Sequence, residues 1–254
     1  MNVESLPEAD RVPGAPHPRD TPELIGQSAA EQSFLDAYNT GRLHHGWLMI
    51  GPRGTGKATL AYRIARFLLS QPMDDGGMFG APEKPTSLDT DPNHPVARRI
   101  AAGADPSLFA LRRGGAGSTE NDQKKNLETG KFAKDIRVDD VRKLNGFFNF
   151  SSAEGGRRVV IVDAADEMNV QAANALLKRL EEPPENATLL LVTHQPSRLL
   201  PTIRSRCREL RLSPLNHDEM ARALHQALPD TDLDQGALAA LTSGSVGEAI
   251  RMTN

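Results

Sequence analysis

The stretch Gly51-Pro52-Arg53-Gly54-Thr55-Gly56-Lys57 follows the pattern of a phosphate-binding loop, G-x-x-x-x-G-K. A short apolar run at residues 47–50 precedes it and predicts a strand. Residues 57–70 follow it with apolar side chains at helical spacing. In a strand–loop–helix arrangement, the N–H groups of the loop and of the helix N-terminus point at phosphate oxygens. The stretch therefore predicts an α/β fold built around a phosphate-binding loop.

The groups that would hold a metal and activate water are incomplete around this loop. Ala58 stands where Ser or Thr would hold Mg²⁺, and Thr59 comes one position late, about 100° farther around the helix. An apolar run predicts a buried central strand that ends in Asp163, the residue type that completes a metal site opposite such a loop. The alternative role of Asp163 is to cap the following turn. Ala164 offers no proton acceptor, so the sequence predicts a loop without a complete hydrolytic site.

Strand-like and helix-like segments alternate over most of the chain, which predicts an α/β layered domain with parallel strands. Residues 1–21 are rich in Pro and polar side chains and predict a mobile tail. The α/β domain is predicted at residues 22–212, with an insertion at about residues 71–134. A small helical domain is predicted at residues 213–254. The candidates for its core are Leu224, Leu228, Leu238 and Leu241.

The composition is that of an ordinary globular protein of 254 residues, with 38% hydrophobic and 25% charged residues. The formal net charge of −3 gives no overall nucleic-acid footprint. We interpret the basic stretch at residues 112–134 as a flexible solvated loop, with a DNA contact as the alternative. The single cysteine, Cys207, excludes an internal disulfide and is interpreted as a small packing residue. With no apolar run long enough to span a bilayer and no signal-peptide core, the sequence predicts a cytoplasmic protein.

Further stretches occur in an order that resembles a known family. Residues 174–184 read Asn-Ala-Leu-Leu-Lys-Arg-Leu-Glu-Glu-Pro-Pro, and residues 205–207 read Ser-Arg-Cys. Together with the phosphate loop and residues 41–48, they resemble the clamp-loader branch of the AAA+ ATPases. The resemblance covers most of residues 22–251. A lone phosphate loop is weak evidence, whereas this combination is specific.

The resemblance implies a RecA-like AAA+ P-loop domain with a parallel sheet, followed by a small all-helical lid domain. It assigns a vestigial nucleotide site to Gly51, Gly54, Thr55, Gly56, Lys57, Thr59 and Asp163. In the lid, Gly247 stands where hydrolysing members carry a phosphate-sensing Arg, and Arg251 follows one helical turn later. No cofactor is expected to be required, and no metal ligand is assigned. Because residues 71–130 contain no Cys, we also expect no structural zinc.

In this family the Arg of the Ser-Arg-Cys triplet is an arginine finger that reaches the γ-phosphate held by a neighbouring subunit, which assigns this role to Arg206. A guanidinium suits the role because its planar donors meet phosphate oxygens bidentately and it stays charged. The alternative is a surface arginine in a basic loop with Arg204 and Arg208. The resemblance implies a non-hydrolysing stator subunit of a bacterial DNA polymerase III clamp loader.

The implied partners are the other loader subunits (gamma/tau and delta), the sliding clamp, and primer–template DNA contacted through the complex. Family members carry a further helical collar domain, which is expected to be absent from this chain. The first alternative function is an ATP-hydrolysing motor subunit of the same complex, against which Ala58, Ala164 and Gly247 argue. A phosphate-binding loop also occurs in small-molecule kinases, and the basic stretch at residues 112–134 could make the chain a direct DNA-binding module.

Overall fold

A parallel sheet forms the centre of the structure, a computed structural model that describes residues 7–72, 84–149, 156–229, 238 and 241–253. Within those residues, the strand order is β2-β3-β4-β1-β5 and every paired neighbour is parallel. The strands are β1 (Gly46–Ile50), β2 (Leu108–Leu111), β3 (Arg158–Asp163), β4 (Ala187–Thr193) and β5 (Arg208–Arg211). The predicted α/β fold with a parallel sheet is confirmed.

Helices cover both faces of the sheet. They are α1 (Ser28–Asn39), α2 (Lys57–Ser70), α3 (Pro95–Ala101), α4 (Glu120–Glu128), α5 (Val138–Asn149), α6 (Val170–Glu181), α7 (Pro201–Arg204), α8 (His217–Ala227) and α9 (Val246–Thr253). One apolar cluster packs α1, α2 and α3 on the sheet, and a second packs α5, α6 and α7 on the opposite face. Among the described residues, no helix has the length and apolar character needed to cross a bilayer.

The alternation of side chains along β3 explains why its sequence is apolar throughout. Val159 and Ile161 belong to the first cluster, while Val160 and Val162 belong to the second. Each of these side chains is at most 1% exposed. A strand buried on both faces cannot alternate apolar with polar residues. β3 therefore ends in the interior, with Asp163 at its carboxyl end.

The N-terminal segment differs from its prediction. Residues 7–20, which we call the strap, lie against the body of the protein and include a 3₁₀ turn at Pro18–Asp20. Residues 1–6 of the predicted tail fall outside the described residues. Glu8 and Asp10 of the strap form ion pairs with Arg112, roughly 100 positions away in the sequence. The Pro-rich polar composition of the segment is typical of disorder and gives no sign of these contacts.

The basic stretch at residues 112–134 also differs from the predicted flexible loop. It contains α4, which begins after Thr119, whose hydroxyl accepts from the N–H of Asp122 at 3.2 Å. The bridge between Gly115 and Phe132 closes the stretch back on itself. α4 has no buried residue, so hydrophobic periodicity gave no signal for it. Residues 73–83 of the predicted insertion lie outside the described residues.

The residues after β5 form helices α8 and α9, which pack in a third apolar cluster. Leu224 is buried there, and Leu228 and Leu238 pack against the cluster, as predicted. The prediction for Leu241 is wrong, because its side chain is 70% exposed. Val12 and Ala15 of the strap also contact this cluster. The strap and the C-terminal helices therefore share one small core.

Candidate functional site

The phosphate-binding loop follows β1 and turns the chain into α2. Gly54 and Gly56 have φ angles of 77° and 91°, in the left-handed region that favours glycine. α2 then begins at Lys57, so its first N–H groups lack partners inside the helix and face the same space as the loop. This geometry provides donors suited to an anion.

A cleft of about 220 Å³ lies over the loop. It brings together most of the predicted nucleotide-site residues, namely Gly54, Thr55, Gly56, Lys57, Thr59 and Asp163. Gly51 is not part of this lining, because its backbone packs against Leu212: a Cβ built on Gly51 would lie 2.5 Å from the carbonyl oxygen of Leu212. The role of Gly51 is a close backbone approach beneath the loop.

Lys57 is a buried cation, with 3% of its surface exposed. Its ammonium group donates to the carbonyl oxygen of Gly51 at 2.8 Å and to that of Pro52. Burial lowers the pKa of Lys57 to about 8, although the carboxylates of Asp163 and Asp166 oppose the change. The ammonium group is thus mostly protonated at neutral pH and available to an anion in the cleft.

The positions expected to hold Mg²⁺ are poorly equipped for it. Ala58 and Ala164 line the cleft with methyl groups. Burial, with the carboxylates of Asp10 and Glu167, raises the pKa of Asp163 to about 7. A carboxyl group that is half protonated near neutral pH is a weak ligand for a hard cation. The described residues contain no group of three or more His, Cys, Asp or Glu that could hold a metal. Ala58 and Ala164 supply no oxygen ligand for Mg²⁺.

Gln27, which sequence reasoning missed, ties the loop to the segment after β5. Its amide nitrogen donates to the carbonyl oxygens of Thr55 at 3.2 Å and Ser213 at 2.8 Å. Its amide oxygen accepts from the N–H of Ser213 at 3.1 Å. Gln27 is 4% exposed, and its role becomes visible only from its burial and from these three hydrogen bonds. The sequence carries no local signal for it.

His194 is a second missed residue, and it lies directly after β4 at the edge of the cleft. Its backbone N–H donates to a carboxylate oxygen of Asp166 at 2.9 Å. Burial, with the positive charges of Lys57 and Arg53, lowers the pKa of His194 to about 3. The imidazole is therefore neutral at physiological pH. Its place in the chain was a usable signal, because a polar residue after a buried parallel strand faces the site edge of the sheet.

The strap forms one wall of the cleft through Asp10 and Val12. Asp10 is buried and accepts from Arg112 Nη1 at 3.0 Å and 3.1 Å. Glu8 accepts from both terminal nitrogens of Arg19, at 2.9 Å and 2.6 Å, and also from Arg112. Two carboxylates thus neutralise two guanidinium groups beside the cleft.

His17, which also belongs to the strap, completes this cluster. Its Nδ1 accepts from the N–H of Arg19 at 3.1 Å, so the proton of a neutral ring lies on Nε2. Nε2 is 3.3 Å from the nearest carboxylate oxygens of both Glu8 and Asp10. Burial tends to raise the pKa values of Glu8 and Asp10, but hydrogen bonds from Arg19 and His17 and the charge of Arg112 outweigh it and lower both.

The start of α9 rests directly on the phosphate loop. The N–H groups of Val246 and Gly247 donate to the carbonyl oxygen of Gly54, at 3.1 Å and 3.4 Å. The hydroxyl of Ser245 donates to the carbonyl oxygen of Arg53 at 2.7 Å. A Cβ at Gly247 would lie 3.0 Å from the Cα of Gly54, so the absence of a side chain permits this contact.

Three of the four described arginines that line the cleft are engaged by carboxylates of the same chain, whereas Nε of the fourth, Arg11, donates to the carbonyl oxygen of Ala15 at 3.3 Å. Arg53 and Arg113 both pair with Glu167, at 3.2 Å and 2.9 Å. Arg251 pairs with Glu248 at 3.3 Å. A polyphosphate would have to compete with these carboxylates for each guanidinium. Three guanidinium groups of the cleft are therefore already paired, whereas Arg11 and Lys57 are hydrogen-bonded to carbonyl oxygens.

Arg206 lies apart from the cleft and does not line it. Its Nη2 is 2.9 Å from Oε1 of Glu181, and its Nη1 donates to the carbonyl oxygen of Thr202 at 3.0 Å. The side chain is 37% exposed. Its neighbour Cys207 packs against the second apolar cluster, and burial raises the pKa of its thiol to about 12. As predicted, Cys207 is a packing residue, because its thiol stays protonated and unreactive.

Comparison with known proteins places this arrangement in a family. A sequence model described as "DNA polymerase III, delta subunit" matches residues 26–216. The DNA polymerase III subunit delta-prime of Pseudomonas aeruginosa is 38% identical over 209 residues, covering 82% of this chain and 55% of that protein. The delta-prime subunit of Escherichia coli is 31% identical over 224 residues, covering 87% of this chain and 58% of that protein. This chain thus spans little more than half the length of these relatives.

Two further proteins resemble this chain, one in sequence and one in structure. The DNA polymerase III subunit gamma/tau of Mycobacterium tuberculosis is 32% identical over 189 residues, covering 74% of this chain and 28% of that protein. A variant of RuvB from Thermotoga maritima aligns with a TM-score of 0.50 and 18% identity, covering 94% of this chain and 64% of that one. The likeness to RuvB shows the fold alone. From the family match over most of its length, this chain belongs to the delta-prime subunits of DNA polymerase III, within the clamp-loader proteins.

Proposed function

We propose that this chain is a non-hydrolysing subunit of the DNA polymerase III clamp loader and that it presents Arg206 to ATP bound by a neighbouring subunit. The observation that carries the proposal is that Arg206 is separated from the chain's own phosphate-loop cleft. The chain's own cleft has alanine at positions 58 and 164, whereas Arg206 lies outside that cleft with its guanidinium at the surface. An arginine in that place serves no nucleotide held by this chain.

The chemistry of the cleft supports the absence of turnover. Phosphoryl transfer depends on charge stabilisation and positioning, which a metal ion and a water-orienting carboxylate usually supply. The residues of this cleft do not fit Mg²⁺, and Ala164 cannot orient a water. Three of the four described cleft arginines, Arg53, Arg113 and Arg251, are already paired within the chain. This role requires no nucleotide in the chain's own cleft.

The hydrogen bonds from α9 to the phosphate loop support a rigid role. We propose that α8 and α9 form a lid that stays bound to the loop in the absence of nucleotide, through Ser245, Val246 and Gly247. The chain then acts as a fixed element of a cytoplasmic complex. Its proposed partners are the gamma/tau and delta subunits, the sliding clamp, and primer–template DNA contacted through the assembly.

The test uses the complete clamp loader reconstituted with this chain. Arg206→Ala should leave assembly intact and reduce turnover at the neighbouring site, because a trans arginine contributes roughly 10³–10⁵ in phosphoryl transfer. Steady-state ATP hydrolysis and clamp loading are measured in parallel. The isolated chain, assayed alongside, should hydrolyse no ATP above background.

Arg204→Ala is the matched control, because Arg204 is an exposed arginine two residues away on the same turn. It should leave both activities at the level of the unaltered complex. Equal activity of the Arg206→Ala complex and the unaltered complex would remove the proposed role. Hydrolysis by the isolated chain that is lost on Lys57→Ala would instead favour the motor-subunit alternative.

A further inference from the structure

The end of α6 and the turn that carries Arg206 are packed together at the start of β1. The imidazole Nε2 of His45 lies 2.9 Å from the carbonyl oxygen of Leu180. Gly46 fits between the two segments: a Cβ there would lie 2.9 Å from Leu180 Cδ2 and 3.1 Å from the carbonyl oxygen of Arg206. The backbone at Arg206 and the backbone at the end of α6 are therefore held in a fixed relation through β1.

On this fixed frame, the Glu181 carboxylate reaches the guanidinium of Arg206 at 2.9 Å. The carbonyl oxygen of Thr202 accepts a hydrogen bond from the other terminal nitrogen, Nη1, at 3.0 Å. A guanidinium has five N–H donors, so the group keeps donors for a third partner while both contacts are made. The two contacts restrict the guanidinium to one region of the surface.

Stability alone does not account for this pair. The side chains of Arg206 and Glu181 are 37% and 42% exposed, and ion pairs so exposed contribute little to folding. A long arginine side chain that must reach a phosphate loses rotamer freedom on doing so. A contact that restricts the side chain beforehand lowers that loss.

We infer that Glu181 is a positioning residue that holds the guanidinium of Arg206 ready for a neighbouring subunit's nucleotide. The inference rests on the proposed function of Arg206. Glu181 touches no nucleotide and acts only through Arg206. Loss of Glu181 should lower the rate of the chemical step and leave ATP binding by the neighbour unchanged. The reason is that Arg206 is proposed to act on the γ-phosphate during that step.

The experiment measures ATP hydrolysis by the complete reconstituted loader. Glu181→Ala should lower kcat about 3- to 10-fold with KM for ATP unchanged, as expected for a misplaced catalytic group. Glu181→Gln keeps an oxygen acceptor and should recover a large part of the lost rate. Glu185→Ala, which removes an exposed carboxylate from the loop after α6, is the control for charge and should have no effect. Gel filtration checks that each variant assembles.

A double variant separates positioning from an independent effect. If Glu181 acts through Arg206, Glu181→Ala in an Arg206→Ala background should cause no further loss. A multiplicative loss, or a Glu181→Ala complex as fast as or faster than the unaltered one, would overturn the inference. If Arg206→Ala is damaging while Glu181→Ala is silent, the inference fails and the proposed function stands. If Arg206→Ala is itself silent, the proposed function fails.

Discussion

Asp163 ends β3 half-buried in the lining of the cleft, to which Asp10 and Glu167 also belong. Burial and these two charges raise its pKa to about 7, against the opposing effect of Lys57 and Arg53. The ionised carboxylate of Asp163 is therefore unfavourable in the folded protein at alkaline pH.

Asp163→Asn should therefore stabilise the protein above neutral pH. The folded-state pKa of about 7 exceeds the unfolded value of 3.8, so the folded protein holds the extra proton between these values. The contribution of Asp163 to stability is full below about pH 4 and is lost as the pH rises through 7. The variant's advantage in the free energy of unfolding should grow from pH 5 to pH 8, to at most about 4 kcal/mol.

Urea unfolding at intervals between pH 5 and pH 8 measures this difference. Asp218→Asn is the control, because the Asp218 side chain is 99% exposed and should show no comparable trend. An Asp163→Asn variant with the same pH dependence as the unaltered chain would contradict the assignment of the buried charge.

At the scale of elements, α9 and the phosphate loop meet through two glycines. Gly247 lies in α9, and its Cα faces the backbone of Gly54. From the sequence, Gly247 was recognised only as the position where hydrolysing relatives carry an arginine. The structure shows that it contacts the Gly54 backbone, a contact that any side chain would disturb. Gly146 in α5 is the opposite case, because a Cβ there would meet nothing within 4 Å.

Alanine at these two glycines should change stability in opposite directions. Gly146→Ala should stabilise by about 0.5–1 kcal/mol, the helix preference of alanine over glycine. Gly247→Ala gains the same preference, but its Cβ would press on the Gly54 backbone at 3.0 Å. Overpacking against a backbone costs about 1–3 kcal/mol, so the net effect should be a loss of up to about 2 kcal/mol. Thermal unfolding of both variants measures the contrast, and two shifts of the same sign would refute it.

Elements that bury an apolar pattern were predictable from the sequence, and those held by distant polar contacts were not. The sheet and α6 follow from apolar runs and from Asn169, whose side chain caps α6 by accepting from the N–H of Ala172 at 2.9 Å. α4 buries no residue, so its formation left no periodic signal. In the site, the loop glycines and Lys57 were recognisable from their spacing. Asp10 was not, because its burial depends on Arg112, which is far away in the sequence.

At the scale of the whole molecule, segments far apart in the chain converge on the phosphate loop. The strap reaches the end of β2 through Arg112, and Gln27 connects the loop with the segment after β5. α9 returns from the C-terminal side to bond Gly54. The family match covers residues 26–216, so the strap and α9 lie outside it. These outer segments hold the cleft together through contacts within the chain.

Arg112→Ala should release the strap. The change removes a guanidinium that compensates the negative charges of Asp10 and Glu8. The side chain of Asp10 is 2% exposed, so solvent cannot replace that compensation. Removing one partner of a fully buried pair costs about 3–5 kcal/mol, and since Arg112 is 26% exposed we expect about 2 kcal/mol or more. The free energy of unfolding, from urea titration at pH 7.5, measures this loss. Hydrogen exchange of residues 7–20 should become fast in the variant because the strap separates from α2 and the cleft.

The matched control is Arg222→Ala, since Arg222 pairs with Glu23 across the surface with side chains 62% and 57% exposed. Such a pair contributes about 0–1 kcal/mol, so this variant should keep both its stability and the protection of the strap. Asp10→Asn in the Arg112→Ala background should restore part of the stability, because the amide removes the charge left unpaired. Equal losses in Arg112→Ala and Arg222→Ala, with strap protection unchanged, would mean that the strap is held by its apolar contacts with the C-terminal core alone.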